Sequence, residues 1–211
     1  FLPRSAVFYQ LVKEYRPALI ITATPGFDPW EAEIILLAKR EGITTVAVDF
    51  SWDNLSMNSK HIRKTDYLVA WNEIMKKEAV DIHSYSRDRV FVSGTLKFDP
   101  YFDGVAPVAT REQFLRLKGL NPDSKTILYT TVTRAYPFQK KYICDLIGLR
   151  SDNKIPYVNI LIRVHPRDDY ESYREFFNVP GCCVERSGKA DGCAEMDYDD
   201  IINLKNSLQH S

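Results

Sequence analysis

The chain has 211 residues, 45% of them apolar and 12% aromatic, enough to build a packed core in one large domain or two small ones. Its 28 basic residues balance 28 acidic ones, which excludes an overall positive field for nucleic acid or an anionic membrane and makes any phosphate binding local. No apolar run approaches the roughly 20 residues of a membrane span and no signal-peptide pattern is present, so the expected compartment is the cytoplasm.

In chain order, Ser5 to Tyr15 has helical spacing, with Val7, Phe8, Leu11, Val12 and Tyr15 on one face. Ala18 to Thr24 reads as a strand, Pro29 to Glu41 as a helix closed by Gly42, and Thr44 to Phe50 as a strand. Tyr67 to Trp71 is the next strand, Glu73 to His83 a helix with Asn72 as its N-cap, and Val90 to Ser93 a strand. Thr95 to Thr110, with Pro100, Gly104 and Pro107, has no clear period and is the linker candidate. The rhythm then resumes: helix Arg111 to Lys118, strand Thr126 to Thr133, helix Phe138 to Leu149, strand Asn159 to Val164, an apolar piece Cys182 to Val184, and a helix from Tyr198 whose Asp197, Asp199 and Asp200 suit its first turn.

This alternation predicts α/β architecture: two Rossmann-like lobes with parallel sheets and helices on both faces. The expected domains are residues 1–102 and 103–211, joined by a hinge near Phe98 to Val108 that permits a cleft. Because helical patterns lie at both ends, the chain is expected to be a fragment of a longer polypeptide. Cys144, Cys182, Cys183 and Cys193 show no CxxC spacing and are read as reduced packing residues rather than zinc ligands, with a Cys193 disulfide to one of the vicinal pair as the alternative.

In an open α/β sheet, ligands bind at the carboxyl ends of the strands. The buried run NILIRV closes on Arg163-Val164-His165-Pro166-Arg167, where Pro166 stops the ladder and leaves an imidazole between two cations. Such a corner suits a diphosphate; the bland alternative is a charged surface loop. The strand before it ends in Thr130, Thr131, Thr133 and Arg134, hydroxyls and a cation suited to phosphate oxygens or simply good strand residues. The first strand runs into Thr24-Pro25-Gly26, whose amides could face an anion. The second ends in Asp49-Phe50-Ser51-Trp52-Asp53-Asn54, read either as a binding or catalytic loop or as an Asx-turn with a structural Trp. Asp53 is the loop's candidate for proton transfer, with Trp52 expected to shield it. The fourth strand leads into Gly94, Thr95 and Lys97, and Gly94 allows close backbone approach. His61 and His83 are lone histidines near helix ends.

Three segments, SWDNLS (Ser51 to Ser56), VSGTLKFDPY (Val92 to Tyr101) and LIRVHPRDD (Leu161 to Asp169), in this order resemble the GT-B superfamily of nucleotide-sugar glycosyltransferases and the related CDP-glycerol glycerophosphotransferases of bacterial surface polymers. The resemblance implies an acceptor-side domain followed by a donor-side domain, each incomplete. It places His165, with Arg163 and Arg167, on the donor phosphates and Thr133-Arg134 near the diphosphate. Thr24, Gly26, Trp52, Asn54, Gly94, Thr95 and Lys97 are then expected to line the cleft. It implies a metal-independent transferase in the intact parent, with no cofactor, a UDP- or CDP-linked donor and a saccharide or polyol-phosphate acceptor. Nucleic acid is not an expected partner, and peripheral membrane attachment would rest on parts outside this chain. The alternatives are a non-hydrolysing nucleotide-sugar 2-epimerase, with Asp53 and Asp99 among its acids and bases, and a non-catalytic α/β binding domain.

Overall fold

The computed structural model describes residues 3–26, 28–57, 63–102, 104, 107–133, 135–188 and 197–211. His61, Arg134 and Cys193 lie outside the described residues. The chain divides into two compact units, Phe1–Lys97 and Phe98–Ser211.

The first unit begins with α1 (Pro3–Tyr15) and continues with β1 (Leu19–Thr22), α2 (Pro29–Glu41), β2 (Thr44–Val48), α3 (Asn54–Met57), β3 (Tyr67–Ala70), α4 (Glu73–Asp81) and β4 (Val90–Val92). The helix ends follow their capping residues. Asp28 accepts from the Trp30 amide, Pro29 occupies the first turn, and Gly42, at φ 70°, donates its amide to the Ala38 carbonyl. Asn72 caps α4 by accepting from the Met75 amide.

The four strands pair in the order β1-β2-β3-β4, all parallel, as the alternation predicts. The same order overturns the expectation of helices on both faces of this sheet. Parallel crossovers are right-handed in nearly all proteins, so an order that advances steadily in one direction puts the connecting helices on one face. That face holds the core of Ala47, Leu55, Leu68, Ala70, Met75, Ala79, Tyr85 and Val90. On the other, Ile21 is 64% and Phe91 53% exposed.

The second unit contains α5 (Asp99–Phe102), α6 (Arg111–Leu117), β5 (Thr126–Thr130), α7 (Gln139–Ser151), β6 (Asn159–Val164), a 3-10 helix at Tyr170–Phe176, β7 (Cys182–Arg186) and α8 (Tyr198–Gln209). Its sheet is parallel in the order β5-β6-β7. Here both faces are covered. Ile160, Ile162 and Val164 pack with Ile143 of α7 and with Tyr173 and Phe176 of the 3-10 helix, whereas Leu161 packs with Phe114, Leu115 and Leu120. Each such fully buried aliphatic side chain contributes about 1.5–3 kcal/mol. α8 is tied back to the start of α6: Asn206 Oδ1 accepts from the Ala109 amide at 2.8 Å, and the His210 ring meets the Ala109 carbonyl at 2.8 Å. The short α5 contacts α8, so residues 99–102, expected to close the first domain, pack within the second unit.

Candidate functional site

Because both sheets are parallel, the exits of β1 to β4 share one edge of the first unit and those of β5 to β7 one edge of the second. Each edge can be taken by itself.

At β1 the turn that was expected to cradle an anion is already filled. Glu31, in the first turn of α2, accepts from the Ala23 amide at 2.9 Å, from the Thr24 amide at 3.1 Å, and from the Thr24 hydroxyl. A carboxylate of the chain itself thus occupies the position that a ligand phosphate takes at such a turn. Gly26 is held by packing: its φ is +94°, and a Cβ there would stand 2.0 Å from the Arg63 carbonyl oxygen.

At β2 the two carboxylates of the exit loop are used differently. Asp49 is 2% exposed and points toward α3, accepting from Asn54 Nδ2 at 2.6 Å and from the Ser51 amide at 3.2 Å. Burial pushes its carboxyl above the ordinary range, against these hydrogen bonds. Asp53 is half-buried and accepts from Ser51 Oγ at 2.5 Å, while its carbonyl accepts from the Ser56 and Met57 amides to start α3. Trp52 does not shield it: the indole is 67% exposed, because the α3 turn aims Asn54 and Leu55, not Trp52, at the core.

The exits of β2, β3 and β4 enclose a cleft of about 180 Å³, lined by Phe50, Trp71, Gly94, Thr95, Leu96 and Lys97 among others. Trp71 Nε1 donates to the Asp49 carbonyl at 2.7 Å, and Lys97 Nζ lies 4.7 Å from the Trp71 ring centre and 3.1 Å from the Phe50 carbonyl. The aromatic face and the cation therefore hold each other in place. Of the residues expected in a cleft, Gly94, Thr95 and Lys97 are in this lining; Thr24, Gly26, Trp52 and Asn54 are not. Trp71 closes the strand expected at Tyr67 to Trp71 but is not among the expected site residues, although its place at a strand's carboxyl end was the available signal.

In the second unit the exits of β5 and β6 are locked together around His165. Its amide donates to Thr131 Oγ1 at 2.8 Å, its Nδ1 accepts from the Arg167 amide at 3.1 Å, and its carbonyl accepts from the Asp168 amide at 2.8 Å. An Nδ1 that accepts leaves the proton of a neutral imidazole on Nε2, and Nε2 has no partner among the described residues. The Arg167 side chain is exposed beside it. Thr133 is half-buried, and its carbonyl accepts from the Tyr136 amide.

Arg163 requires a correction. Its guanidinium, expected on the donor phosphates, is 4% exposed and meets Glu185 at 2.9 Å and Asp200. Strand alternation is the reason: two residues on from Leu161, it faces the α6 and α8 side of the sheet. Glu185 also meets Lys118 at 2.6 Å, Asn203 Nδ2 at 3.0 Å and Ser207 Oγ at 3.2 Å. Burial pushes the Glu185 carboxyl up, but the charge of Lys118 and the hydrogen bonds from Lys118, Asn203 and Arg163 outweigh it and hold the group below its usual range.

The described residues contain no group of three His, Cys, Asp or Glu side chains placed to hold a metal ion and no helix long and apolar enough to cross a membrane. Cys144, Cys182 and Cys183 are free thiols.

Two small parallel sheets, one in each unit, make the fold GT-B-like and Rossmann-like. The chain belongs to the CDP-glycerol:poly(glycerophosphate) glycerophosphotransferase family, whose sequence profile matches residues 39–184. No curated protein sequence matches it. Among solved structures it is similar to the UDP-GlcNAc 2-epimerase from Neisseria meningitidis bound to UDP-GlcNAc, at 14% identity and a TM-score of 0.61 over 99% of this chain and 56% of that one. The UDP-GlcNAc 2-epimerase from Methanocaldococcus jannaschii is similar at 14% identity and 0.59, over 95% and 57%. The S. aureus MnaA-UDP structure is similar at 13% and 0.60, over 99% and 54%. At these identities the likeness is one of fold, and the chain spans little more than half the length of each.

Proposed function

We propose that this chain is part of a transferase that draws on a nucleotide-diphosphate-linked donor, CDP-glycerol in class, to build a bacterial surface polymer. The observation that carries the reading is the His165 corner, an imidazole held at Nδ1 by the Arg167 amide and without a hydrogen-bond partner at Nε2 among the described residues, inside the segment that matches the glycerophosphotransferase family. His165 Nε2–H donates to the donor diphosphate, and Arg167 adds charge beside it. Thr133, beyond the end of β5, and Arg134, next to it in sequence, complete the proposed phosphate contacts.

In the reaction an acceptor hydroxyl attacks the phosphorus that carries glycerol. A new P–O bond forms as the P–O bond to CMP breaks, and CMP leaves with the negative charge that His165 and Arg167 stabilise. The candidate to take the proton of the acceptor hydroxyl is the Asp53 carboxylate. The acceptor is a polyol phosphate or saccharide, the compartment is the cytoplasm, and any membrane contact belongs to parts outside this chain.

The fold likeness to UDP-GlcNAc 2-epimerases supports a second reading, nucleotide-sugar 2-epimerisation. Product analysis on the full-length protein separates the two. CMP release matched by glycerol phosphate on the acceptor supports the transferase; a C2-inverted UDP-sugar with no transfer overturns it.

A further inference from the structure

Gln139 is the first residue of α7, where a side chain ordinarily points to solvent, yet it is 6% exposed. Its Oε1 accepts from the Val132 amide at 2.9 Å and its Nε2 donates to Asp168 Oδ2 at 2.8 Å. One amide thus bridges the exit loop of β5 and the exit loop of β6. Asp168 Oδ2 also accepts from Tyr173 Oη at 2.7 Å, and the Gln139 carbonyl accepts from Tyr129 Oη at 3.2 Å. Burial, and after it the hydrogen bond to Asp168, push the Tyr173 hydroxyl up, so it keeps its proton and donates it to Asp168. Two further bonds enter the same network from the imidazole side: Asp168 N–H donates to the His165 carbonyl, and His165 N–H to Thr131 Oγ1.

The two loops so joined are the ones placed on the donor phosphates above, Thr133 on one and His165 on the other. We infer that Gln139 and Asp168 form a positioning strap that sets the separation between the β5 exit and the His165 imidazole, and through it the fit of the site to a nucleoside diphosphate. This rests on the donor reading and names two positioning residues for it. The strap also dictates what the β5 loop offers: the Val132 amide is taken by Gln139, which leaves the Thr133 hydroxyl rather than that amide for a phosphate oxygen. A polar bridge of this kind, made through a buried amide, holds loops in one arrangement, where an apolar contact would let them slide.

The test is a charge swap in the full-length protein, with CDP as the probe. Gln139→Glu keeps an acceptor for Val132 but sets a carboxylate against Asp168; Asp168→Asn added to it supplies an amide that donates to the new carboxylate, with the Tyr173 hydroxyl rotating to accept from that amide. The strap predicts that Q139E weakens CDP binding at least tenfold and that Q139E/D168N recovers to within about threefold of wild type, while the acceptor KM stays constant throughout. A folded Q139E protein with wild-type CDP affinity, or a folded double variant as weak as the single, overturns the strap alone. If Q139E does not fold, Gln139→Met, which removes both hydrogen bonds without a like charge, carries the same expectation. A wild-type protein that does not bind CDP refutes the donor reading itself and the strap with it.

Discussion

Replacing Arg163 with Met removes the cation that faces Glu185 and Asp200 from a side chain only 4% exposed. Taking away one partner of a buried ion pair costs about 3–5 kcal/mol, because the remaining charge is left in a low-dielectric setting. Lys118, 2.6 Å from Glu185, still compensates part of that charge, so the lower end, about 3 kcal/mol, is the expected value. For a unit of roughly a hundred residues each kcal/mol moves Tm by about 4–8 °C, which gives a drop of about 12–24 °C. Urea unfolding followed by circular dichroism measures it, as a fall in midpoint at constant slope. Arg167→Ala is the control: the residue is exposed, and its loss should change stability by no more than about 0.5 kcal/mol while weakening CDP binding. An Arg163→Met protein that is less than about 1 kcal/mol destabilised but binds CDP poorly would return the guanidinium to the ligand and refute the correction made above.

Glu185 carries the pH dependence of the same network. Its folded pKa lies below the unfolded value of about 4.3, so its stabilisation is fully present above that pH and is lost as pH falls through the folded value; Glu185→Gln should flatten the acid limb of a stability-against-pH curve. Asp53→Asn keeps an acceptor for Ser51 Oγ but cannot take a proton, so a loss of kcat of at least a hundredfold at unchanged Tm supports the base, whereas a near-normal rate makes the residue a loop tie. Glu31→Ala leaves the Ala23 and Thr24 amides without their acceptor and should destabilise the first unit by about 1–2 kcal/mol in urea; no loss would mean that water replaces the carboxylate. Cys144 is exposed, and burial pushes the Cys182 and Cys183 thiols up, so iodoacetamide should label Cys144 first; faster labelling of the vicinal pair would contradict that burial.

The strands and long helices were legible because their signals are local. The Pro29 start, the Gly42 stop and the Asn72 cap all act within one turn, and the β-branched run at residues 159–164 stands on its own as a buried strand. What was not legible depends on strand order and side-chain direction. The steady order of β1 to β4 leaves one face of that sheet without its connecting helices, and no local pattern encodes that order. Arg163 looked like a ligand cation because it sits one turn of the alternation before His165, yet its partners Glu185 and Asp200 are 22 and 37 residues away in sequence. Gln139 gave no signal, since a glutamine in a first helical turn is ordinarily solvated. Glu31 was detectable in principle: it lies three residues after the Asp28 cap, where a carboxylate reaches back over the helix start.

The central claim is that His165 grips a nucleoside diphosphate, and calorimetric titration of CDP into the full-length protein, wild type against His165→Ala, tests it most directly. Loss of one charge-assisted contact to phosphate, worth about 1.5–3 kcal/mol, predicts a Kd at least about tenfold weaker in the variant, with Tm within a few degrees because the half-buried ring gives up one hydrogen bond, from the Arg167 amide. Equal affinity in a folded His165→Ala protein would contradict the account and make the corner a structural turn.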